Sequence, residues 1–349
     1  MRRWIVIAAL SLSVPACAAE TPLTVETIVE GLDSPWAFDF LPDGRVLVTE
    51  RSGQLRVIAD GQLQKEGIDG VPEVYHAGQG GLLDVLVDQD FPQNQRLFLS
   101  YAHRNDDGNA TRVVSARLDG GALVDVRELF TASPRQETAV HYGGRLLQLP
   151  EGGLMLSLGD GFDYREDAQK PDNHHGKIVA FAADGGDAEI WSLGHRNVQG
   201  LVRDPESGTI WAHEHGPKGG DEINRIERGG NYGWPVATFG VDYSGAVISP
   251  FNSRPGMVDP AVVWVPSIAP SGMALYRGAL FPQWRGDLFV SALAGRKLVR
   301  VRIGEGKPEQ EDLLTDQDER LRDVAEGPDG ALWILTDGGE AKLLRVTPG

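Results

Sequence analysis

The feature that most restricts how this chain can fold is a weak internal repeat. Its unit is a turn rich in Pro, Asp and Gly, followed by a hydrophobic strand, a loop and a second strand. Pro42-Asp-Gly44 leads to residues 46–48 and 55–58, and Pro328-Asp-Gly330 leads to residues 332–335 and 343–346. Four more copies have their turns near positions 93, 151, 207 and 285. The average spacing suits four-stranded units of about 40–50 residues with insertions between them.

Six such units predict an all-β fold, a six-bladed β-propeller with four-stranded antiparallel blades. A small sheet cannot bury both of its faces alone, so neighbouring sheets must stack radially around a central channel. Residues 23–29 are expected to pair with the last blade and close the ring. A β-sandwich with repetitive turns is the alternative fold. The longest interval holds an insertion near residues 231–260, and long loops on a rigid scaffold often carry function.

The N-terminus predicts an exported protein. A basic start, an apolar stretch and a run of small residues form the pattern of a secretory signal peptide over residues 1–19. The predicted organisation is this signal peptide followed by a single propeller catalytic domain over residues 20–349, periplasmic or secreted, without a membrane span. The residues before Cys17 also resemble a lipoprotein cleavage box, so acylation at Cys17 is the alternative.

Charge and cysteine content narrow the possible partners. The chain has 50 Asp and Glu against 33 Lys and Arg, a formal net charge of −17. Such a surface repels phosphate backbones, so nucleic acid is not expected as a partner. Cys17 is the only cysteine, so the mature chain forms no internal disulfide and must be stable from its core alone.

Polar, glycine-punctuated segments recur where predicted strands end. Each is expected in a different blade, so that their side chains converge at one mouth of the channel. The five segments are Gly78-Gln-Gly-Gly-Leu-Leu-Asp84, His141-Tyr-Gly-Gly-Arg145, Gly194-His-Arg-Asn-Val-Gln-Gly200, Glu214-His-Gly-Pro-Lys-Gly-Gly-Asp-Glu-Ile-Asn224 and Arg320-Leu-Arg-Asp323. His141 is the candidate general base, because an imidazole titrates near neutral pH and can accept a proton from a hydroxyl. A hydrogen-bonding surface histidine is the alternative.

Arginines form a second candidate set. Arg320 and Arg322 lie two apart, so on a strand both side chains point to one face. With Arg196 and Asn197 they offer the density of positive charge that a ligand with several carboxylates needs, because arginine binds carboxylates bidentately. Ordinary surface ion pairs are the alternative. The carboxylates and exposed carbonyls of residues 214–222 suit calcium better than zinc.

Together these segments resemble the soluble aldose sugar dehydrogenases that depend on pyrroloquinoline quinone (PQQ), also called the glucose/sorbosone dehydrogenase family. The resemblance runs from about residue 31 to residue 348, and several motifs follow one another in the family's order. They are Gly78-Gln-Gly-Gly-Leu82, His141-Tyr-Gly-Gly-Arg-Leu146, Leu158-Gly-Asp160, Gly194-His-Arg-Asn-Val-Gln-Gly-Leu201, His215-Gly-Pro-Lys-Gly-Gly-Asp-Glu-Ile-Asn224, Asn231-Tyr-Gly-Trp-Pro235 and Arg320-Leu-Arg-Asp-Val324.

The resemblance implies an enzyme that oxidises aldose sugars at C1 to aldonolactones with PQQ and Ca²⁺ and passes electrons to a periplasmic acceptor. It implies that His141 takes the C1 hydroxyl proton while hydride passes to the quinone, and that Gln79 contacts the sugar. The cofactor-binding residues it implies are Arg196, which also stabilises the reduced oxygens, Asn197, Tyr243, Arg320 and Arg322. The metal ligands it implies are the carbonyls of Gly216 and Pro217 at one calcium, and Glu222 and the Tyr232 carbonyl at a second.

The chain departs from the family at two positions. Where the glucose-oxidising branch has a lysine, this chain has Ala294, and Arg296 or Lys297 is the candidate to supply the charge instead. Val140 precedes the histidine where glucose oxidisers carry an acid, which indicates a wider range of sugars. Two other functions stay open. A calcium-dependent lactonase-type hydrolase would need side-chain acids around a channel metal, and a ligand-binding propeller without catalysis is favoured by Ala294.

Overall fold

The computed structural model describes residues 22–304 and 306–349. The predicted signal peptide over residues 1–19, with Cys17, lies outside the described residues. The first strand, β1 (Leu23–Leu32), is followed by six groups of strands, and each group forms one small sheet. None of the described helices is long and apolar enough to cross a membrane.

The strands of each sheet follow one another from the channel outward, and each sheet is one blade. Blade 1 contains β2 (Pro35–Phe40), β3 (Val46–Glu50), β4 (Gln54–Ala59) and β5 (Gln62–Leu63). Blade 2 contains β6 (Leu82–Val87), β7 (Arg96–Asn105), β8 (Gly108–Asp119) and β9 (Ala122–Thr131). Blade 3 contains β10 (Leu146–Gln148), β11 (Leu154–Ser157), β12 (Lys177–Phe181) and β13 (Glu189–Leu193).

The second half of the ring repeats this order. Blade 4 contains β14 (Val198–Arg203), β15 (Ile210–Glu214) and β16 (Asp221–Ile226); the short β17 (Gly230–Asn231) joins blade 3, and β18 (Val262–Trp264) completes blade 4. Blade 5 contains β19 (Pro270–Leu275), β20 (Leu288–Ala292), β21 (Lys297–Arg302) and β22 (Glu309–Leu313). Blade 6 contains β23 (Leu321–Glu326), β24 (Leu332–Thr336) and β25 (Ala341–Pro348). Short helical turns are α1 (Phe91–Asn94) and the 3₁₀ turns Arg165–Gln169, Pro282–Trp284 and Thr315–Gln317.

This architecture confirms the predicted six-bladed propeller. Five blades have four antiparallel strands, and blade 3 differs because β17 adds a fifth strand parallel to β13. The ring closes as expected, since β1 pairs with β25 in antiparallel register, with Val25 opposite Val346. The fourth strand of blade 6 therefore comes from the other end of the described chain, and β2 also packs on β23.

Apolar side chains between adjacent blades form the core. Leu47 and Leu55 of blade 1 pack with Leu97 and Leu99 of blade 2 in one cluster, and all four side chains are fully buried. Burial of such side chains stabilises each by about 1.5–3 kcal/mol, so the stacking of blades is the main apolar contribution to the fold.

A charged layer crosses the channel. Arg145, whose side chain is 11% exposed, forms ion pairs of 3.2 Å with Asp84 and Asp323, and its guanidinium lies 4.5 Å from the centre of the Trp36 ring. Its Nε donates to the carbonyl of Gln199 at 2.9 Å. This layer lies between two cavities in the channel, and the predicted functional residues Gln79, Asn197, Arg320 and Arg322 line one of them.

Candidate active site

Several of the side chains predicted from the sequence to be functional lie where the inner strands begin, at one end of the channel. A cavity of about 430 Å³ opens there, which we call the arginine cavity, and every blade contributes to its wall. One lining residue from each blade, starting from blade 1, is Ser34, Gln79, Gly143, Asn197, Ala269 and Arg320. A second cavity of about 280 Å³, the aromatic cavity, has Asp160, Phe162, Arg196, Trp234 and Tyr243 in its wall.

Four of the five glycine-punctuated segments lead into inner strands of different blades, namely blades 2, 3, 4 and 6. The fifth, over residues 214–224, belongs to blade 4, as does the segment over residues 194–200. The expectation that each segment occupies its own blade was wrong here. In an antiparallel blade the second strand ends at the edge where the first begins, so one blade can supply two segments to the same mouth.

His141 is held in place by a buried carboxylate. Its Nδ1 lies 2.7 Å from Oδ1 of Asp160, and its backbone N–H donates to Oε1 of Gln79 at 2.8 Å. Burial lowers the pKa of His141 below its ordinary value of 6.5, and the charge of Arg196 acts in the same direction against the hydrogen bond to Asp160. The neutral ring therefore carries its proton on Nδ1, which leaves Nε2 as a proton acceptor.

Asp160 is in turn fixed by two further donors. The indole Nε1 of Trp234 donates to its Oδ2 at 2.7 Å, and the backbone N–H of Phe162 donates to its Oδ1 at 2.8 Å. Burial alone would raise the pKa of Asp160, but the hydrogen bond to His141 and the charge of Arg196 lower it below its usual range. A permanently ionised Asp160 holds the imidazole in one tautomer and one orientation.

The glycine before Asp160 permits this arrangement. A Cβ placed on Gly159 would lie 2.0 Å from the carbonyl oxygen of His141 and 2.9 Å from Oδ1 of Asn197. Any side chain at residue 159 would therefore push apart the two segments that carry the candidate base and a candidate cofactor ligand.

A buried lysine fixes the loop that follows Asp160. Lys177 is fully buried, and its Nζ donates to the carbonyls of Asp167, Ala168 and His175 at 2.8, 3.1 and 2.6 Å. Burial lowers the pKa of Lys177 to about 8. The loop that brings Phe162 to 5.3 Å from the His141 ring is thus tied to the start of β12.

Arg196 lines the aromatic cavity, and the next residue, Asn197, lines the arginine cavity. Nη1 of Arg196 donates to the carbonyl of Gly216 at 2.7 Å, and its guanidinium lies 5.4 Å and 5.9 Å from the ring centres of Trp234 and Tyr243. Asn197, the next residue, accepts a hydrogen bond from the backbone N–H of Gly143 at 3.1 Å. Tyr243 is 61% exposed, so its ring forms an outer wall of the aromatic cavity.

The arginines expected to bind the cofactor have different placements. Arg320 and Arg322 line the arginine cavity and share one carboxylate, Asp337, at 2.9 Å and 2.7 Å. Arg296 is not among the residues that line either cavity, and its Nε donates to the carbonyl of Asp318 at 2.8 Å. The structure brings the first two together at the site and leaves Arg296 outside it.

The residues expected at the first calcium are neighbours of Arg196. The Gly216 carbonyl already accepts the bond from Arg196, while the Pro217 carbonyl lies 3.5 Å from the Ser267 hydroxyl, and Pro217 lines the aromatic cavity. A carbonyl oxygen has two lone pairs, so one acceptor site remains on each for a second partner.

The residues expected at the second calcium include a crowded pair of carboxylates. Glu214 and Glu222 are opposite each other on β15 and β16, and the amide nitrogen of Asn224 donates to both, at 3.1 Å and 3.4 Å. Burial and the charge of Glu214 raise the pKa of Glu222 well above its usual range. Oδ1 of Asn224 is buried and has no hydrogen-bond partner among the described residues. These oxygens fit a hard cation, which would neutralise the pair and satisfy the amide oxygen. Tyr232 is close by, with its ring stacked at 4.6 Å on His195, which itself contacts Glu214.

Comparison with known proteins identifies the family. The model of the Glucose / Sorbosone dehydrogenase family matches residues 32–345. The chain belongs to this family. Since the glucose/sorbosone dehydrogenases are oxidoreductases, the prediction of an enzyme is confirmed.

Three similar proteins and structures show how far the similarity extends. Aldose sugar dehydrogenase YliI of Escherichia coli is 41% identical over 97% of this chain and 96% of its own length. The crystal structure of the soluble aldose sugar dehydrogenase of Escherichia coli in the apo-form has a TM-score of 0.89 and covers 94% of this chain and 100% of its own. The PQQ-bound aldose sugar dehydrogenase of Streptomyces coelicolor has 27% identity and a TM-score of 0.76, over 94% of this chain and 100% of that one.

Sequence reasoning assigned no role to three residues of this dehydrogenase site. Asp160 was recognised only as part of a motif, although Leu158-Gly-Asp160 places a carboxylate directly after a strand. Trp234 lies 74 residues from the aspartate that it contacts, so no local pattern links them. Arg51 lines the arginine cavity, and its position directly after β3 is the one available signal.

Proposed function

We propose that this protein oxidises aldose sugars at C1 to aldonolactones, with PQQ and Ca²⁺ as cofactors and His141 as the base. The observation that carries the proposal is a neutral, oriented imidazole joined to an arginine-lined cavity by Gln79, which lines the cavity and accepts from the backbone N–H of His141. The printed names of the relatives, aldose sugar dehydrogenases with one in a PQQ-bound form, support the same reaction.

The arginine cavity suits a ligand with several carboxylates. Arg51, Arg320 and Arg322 face it, and Asp337 is the one carboxylate among its lining residues. In this proposal Arg320 and Arg322 hold cofactor carboxylates, with Arg196, Asn197 and Tyr243 around the quinone. When bound, PQQ supplies a two-electron acceptor for the hydride from sugar C1, and calcium polarises its carbonyl groups.

The chain's own groups handle the proton. Nε2 of His141 accepts the proton of the C1 hydroxyl, and Asp160 stabilises the resulting imidazolium through Nδ1 at 2.7 Å. Gln79 accepts from the backbone N–H of His141 and lines the arginine cavity, which supports its proposed contact with the sugar.

Calcium is proposed at two places. The carbonyls of Gly216 and Pro217 would hold the ion beside the quinone, and Glu222 with the Tyr232 carbonyl would hold a second ion. The unpartnered Oδ1 of Asn224 supports the second site and adds a candidate ligand to it.

The lactonase-type alternative has less support. It requires side-chain acids around a channel metal, and over residues 22–304 and 306–349 no group of three or more His, Cys, Asp or Glu is arranged to hold a metal ion. We also propose export through the N-terminal signal peptide, with electrons passing to a periplasmic acceptor.

Removal and return of the cofactors test the proposal. Treatment with a chelator followed by dialysis should abolish oxidation of aldoses in an assay with an artificial electron acceptor. Calcium and PQQ together should restore it, and neither should suffice alone, because the metal anchors and activates the quinone. Full sugar oxidation by the stripped protein would overturn the proposed cofactor dependence.

A further inference from the structure

The arginine cavity contains one guanidinium that the motifs did not assign. Arg51 follows the last residue of β3 and lines this cavity together with Arg320, Arg322, Asn197 and His215. Arg51 belongs to blade 1, whereas Arg320 and Arg322 belong to blade 6. Blade 6 is the last blade in the sequence, and it packs against blade 1.

The guanidinium of Arg51 has no carboxylate partner among the described residues. Arg320 and Arg322 both bind Asp337, whereas Arg51 forms no ion pair within 4.0 Å with any described carboxylate. Its Nη2 donates to the carbonyl of Gly78 at 3.0 Å, but its buried Nε has no hydrogen-bond partner among the described residues. Burial and the charge of Arg322 lower the pKa of Arg51, so its charged form would gain from an added anion.

The backbone of Arg51 is clamped between the first two blades. Its N–H donates to the carbonyl of Ser34 at 3.2 Å, and its carbonyl accepts from the N–H of Leu82 at 3.1 Å. A Cβ on Gly81 would come within 2.1 Å of the Arg51 oxygen, so only glycine permits this approach. These backbone contacts hold the Cα atom of Arg51 at the wall of the cavity.

Arg296 and Lys297 were the candidates to supply the charge of the family lysine, in whose place this chain has Ala294. Neither side chain reaches the arginine cavity. Arg296 is bound to Asp318, and Nζ of Lys297 forms an ion pair of 2.7 Å with Asp312 on the outer strand of blade 5. Neither is among the residues lining the arginine cavity, whereas Arg51 is.

We propose that Arg51 binds a carboxylate of the polycarboxylate cofactor. The inference rests on the proposed function, because it assigns a partner within the same cavity. It adds a third cationic anchor from blade 1 to the two from blade 6, so the ligand would link the first and last blades.

Direct binding of PQQ tests this role without turnover. PQQ is titrated by calorimetry into the calcium-saturated full chain, its Arg51→Ala and Arg51→Lys variants, and Arg45→Ala as the matched control. Arg45 lies at the other end of β3, exposed and paired with Asp43 at 2.7 Å. We expect the dissociation constant to rise at least about tenfold for Arg51→Ala, less for Arg51→Lys, and within about twofold for Arg45→Ala.

The outcomes separate the inference from the proposed function. Wild-type affinity in Arg51→Ala would overturn the role of Arg51 and leave the proposed function standing, whereas a wild-type chain that binds no PQQ would overturn both. Thermal denaturation without PQQ checks the fold of each variant. If Arg51→Ala is unfolded, Arg51→Gln takes its place, because an amide can still donate to the Gly78 carbonyl without carrying a charge.

Discussion

At the scale of single residues, the proposed reaction depends on the pair formed by His141 and Asp160. The imidazole is neutral because burial opposes its charge, and the aspartate selects which nitrogen keeps the proton. His141→Gln should lower kcat by roughly 10²–10⁴-fold and leave PQQ affinity close to that of the wild type, since a general base acts on the substrate proton. Retention of most of the turnover, measured with saturating PQQ and calcium, would show that another group is the base.

The same pair sets the acid side of the pH profile. The proposed reaction needs neutral His141, so kcat/KM should fall as the pH drops through its pKa, which lies below 6.5. The hydrogen bond that His141 donates to Asp160 raises that pKa, so Asp160→Asn should move the acid limb to lower pH while lowering kcat at least about tenfold. An acid limb that shifts to higher pH in Asp160→Asn would contradict this coupling.

The neighbouring carboxylates of Glu214 and Glu222 lead to a prediction about how calcium changes the stability of the protein. Without the ion, Glu222→Gln should be at least as stable as the wild type, because it removes a buried like-charge contact. With calcium at about 100 times its dissociation constant, the wild type should gain about 2.7 kcal/mol and the variant clearly less. Thermal denaturation with and without calcium measures this, with the exposed Glu309→Gln as control. An equal gain in the variant would place the cation elsewhere.

At the scale of elements, closure of the ring depends on β1. Leu32 is fully buried in a cluster that joins Leu335 and Leu343 of blade 6 to Phe38 of blade 1. Leu32→Ala should therefore cost about 2–5 kcal/mol of unfolding free energy. The exposed Glu30→Ala in the same strand should change it by less than about 0.5 kcal/mol. Denaturant unfolding compares the two, and equal stability would mean that β1 does not hold the ring.

The repeat in the sequence located the second and third strands of every blade, from β3 and β4 to β24 and β25. These strands are the most continuously apolar, and they follow the Pro, Asp and Gly turns. The inner strands of blades 2, 3, 4 and 6 were not predicted as strands because they begin in polar functional segments, whose composition is typical of loops. The outer strands are irregular, as in β22 with the sequence Glu309-Gln-Glu-Asp-Leu313, and carry little hydrophobic pattern.

The candidate site was predictable where residues lie inside a motif. Arg322 and Gln79 both line the arginine cavity, and Gln79 contacts the backbone of His141. Contacts between residues that are far apart in the sequence could not be predicted from a local pattern. Trp234 contacts Asp160 from an insertion. Arg51 and Arg322 line one cavity only because blade 6 packs on blade 1. Arg296 lies outside the cavity because its guanidinium donates to the backbone carbonyl of Asp318.

At the scale of the whole molecule, the channel has one functional mouth. The layer of Arg145, Asp84 and Asp323 separates the arginine cavity from the cavity at the opposite end. Sugar, cofactor and electron acceptor would therefore all approach from the same side. All six blades line this cavity, so the complete ring is needed to form the site.

The central claim is that an aldose reduces a quinone bound in this cavity. The most direct measurement mixes the protein, reconstituted with PQQ and calcium, with an aldose under anaerobic conditions and follows the quinone absorbance in a stopped-flow instrument. The account predicts complete bleaching with one lactone formed per quinone, and slower bleaching when C1 carries deuterium, because the C1–H bond is broken in that step. An absorbance that every aldose leaves unchanged, in a protein that has bound its PQQ, would contradict the claim.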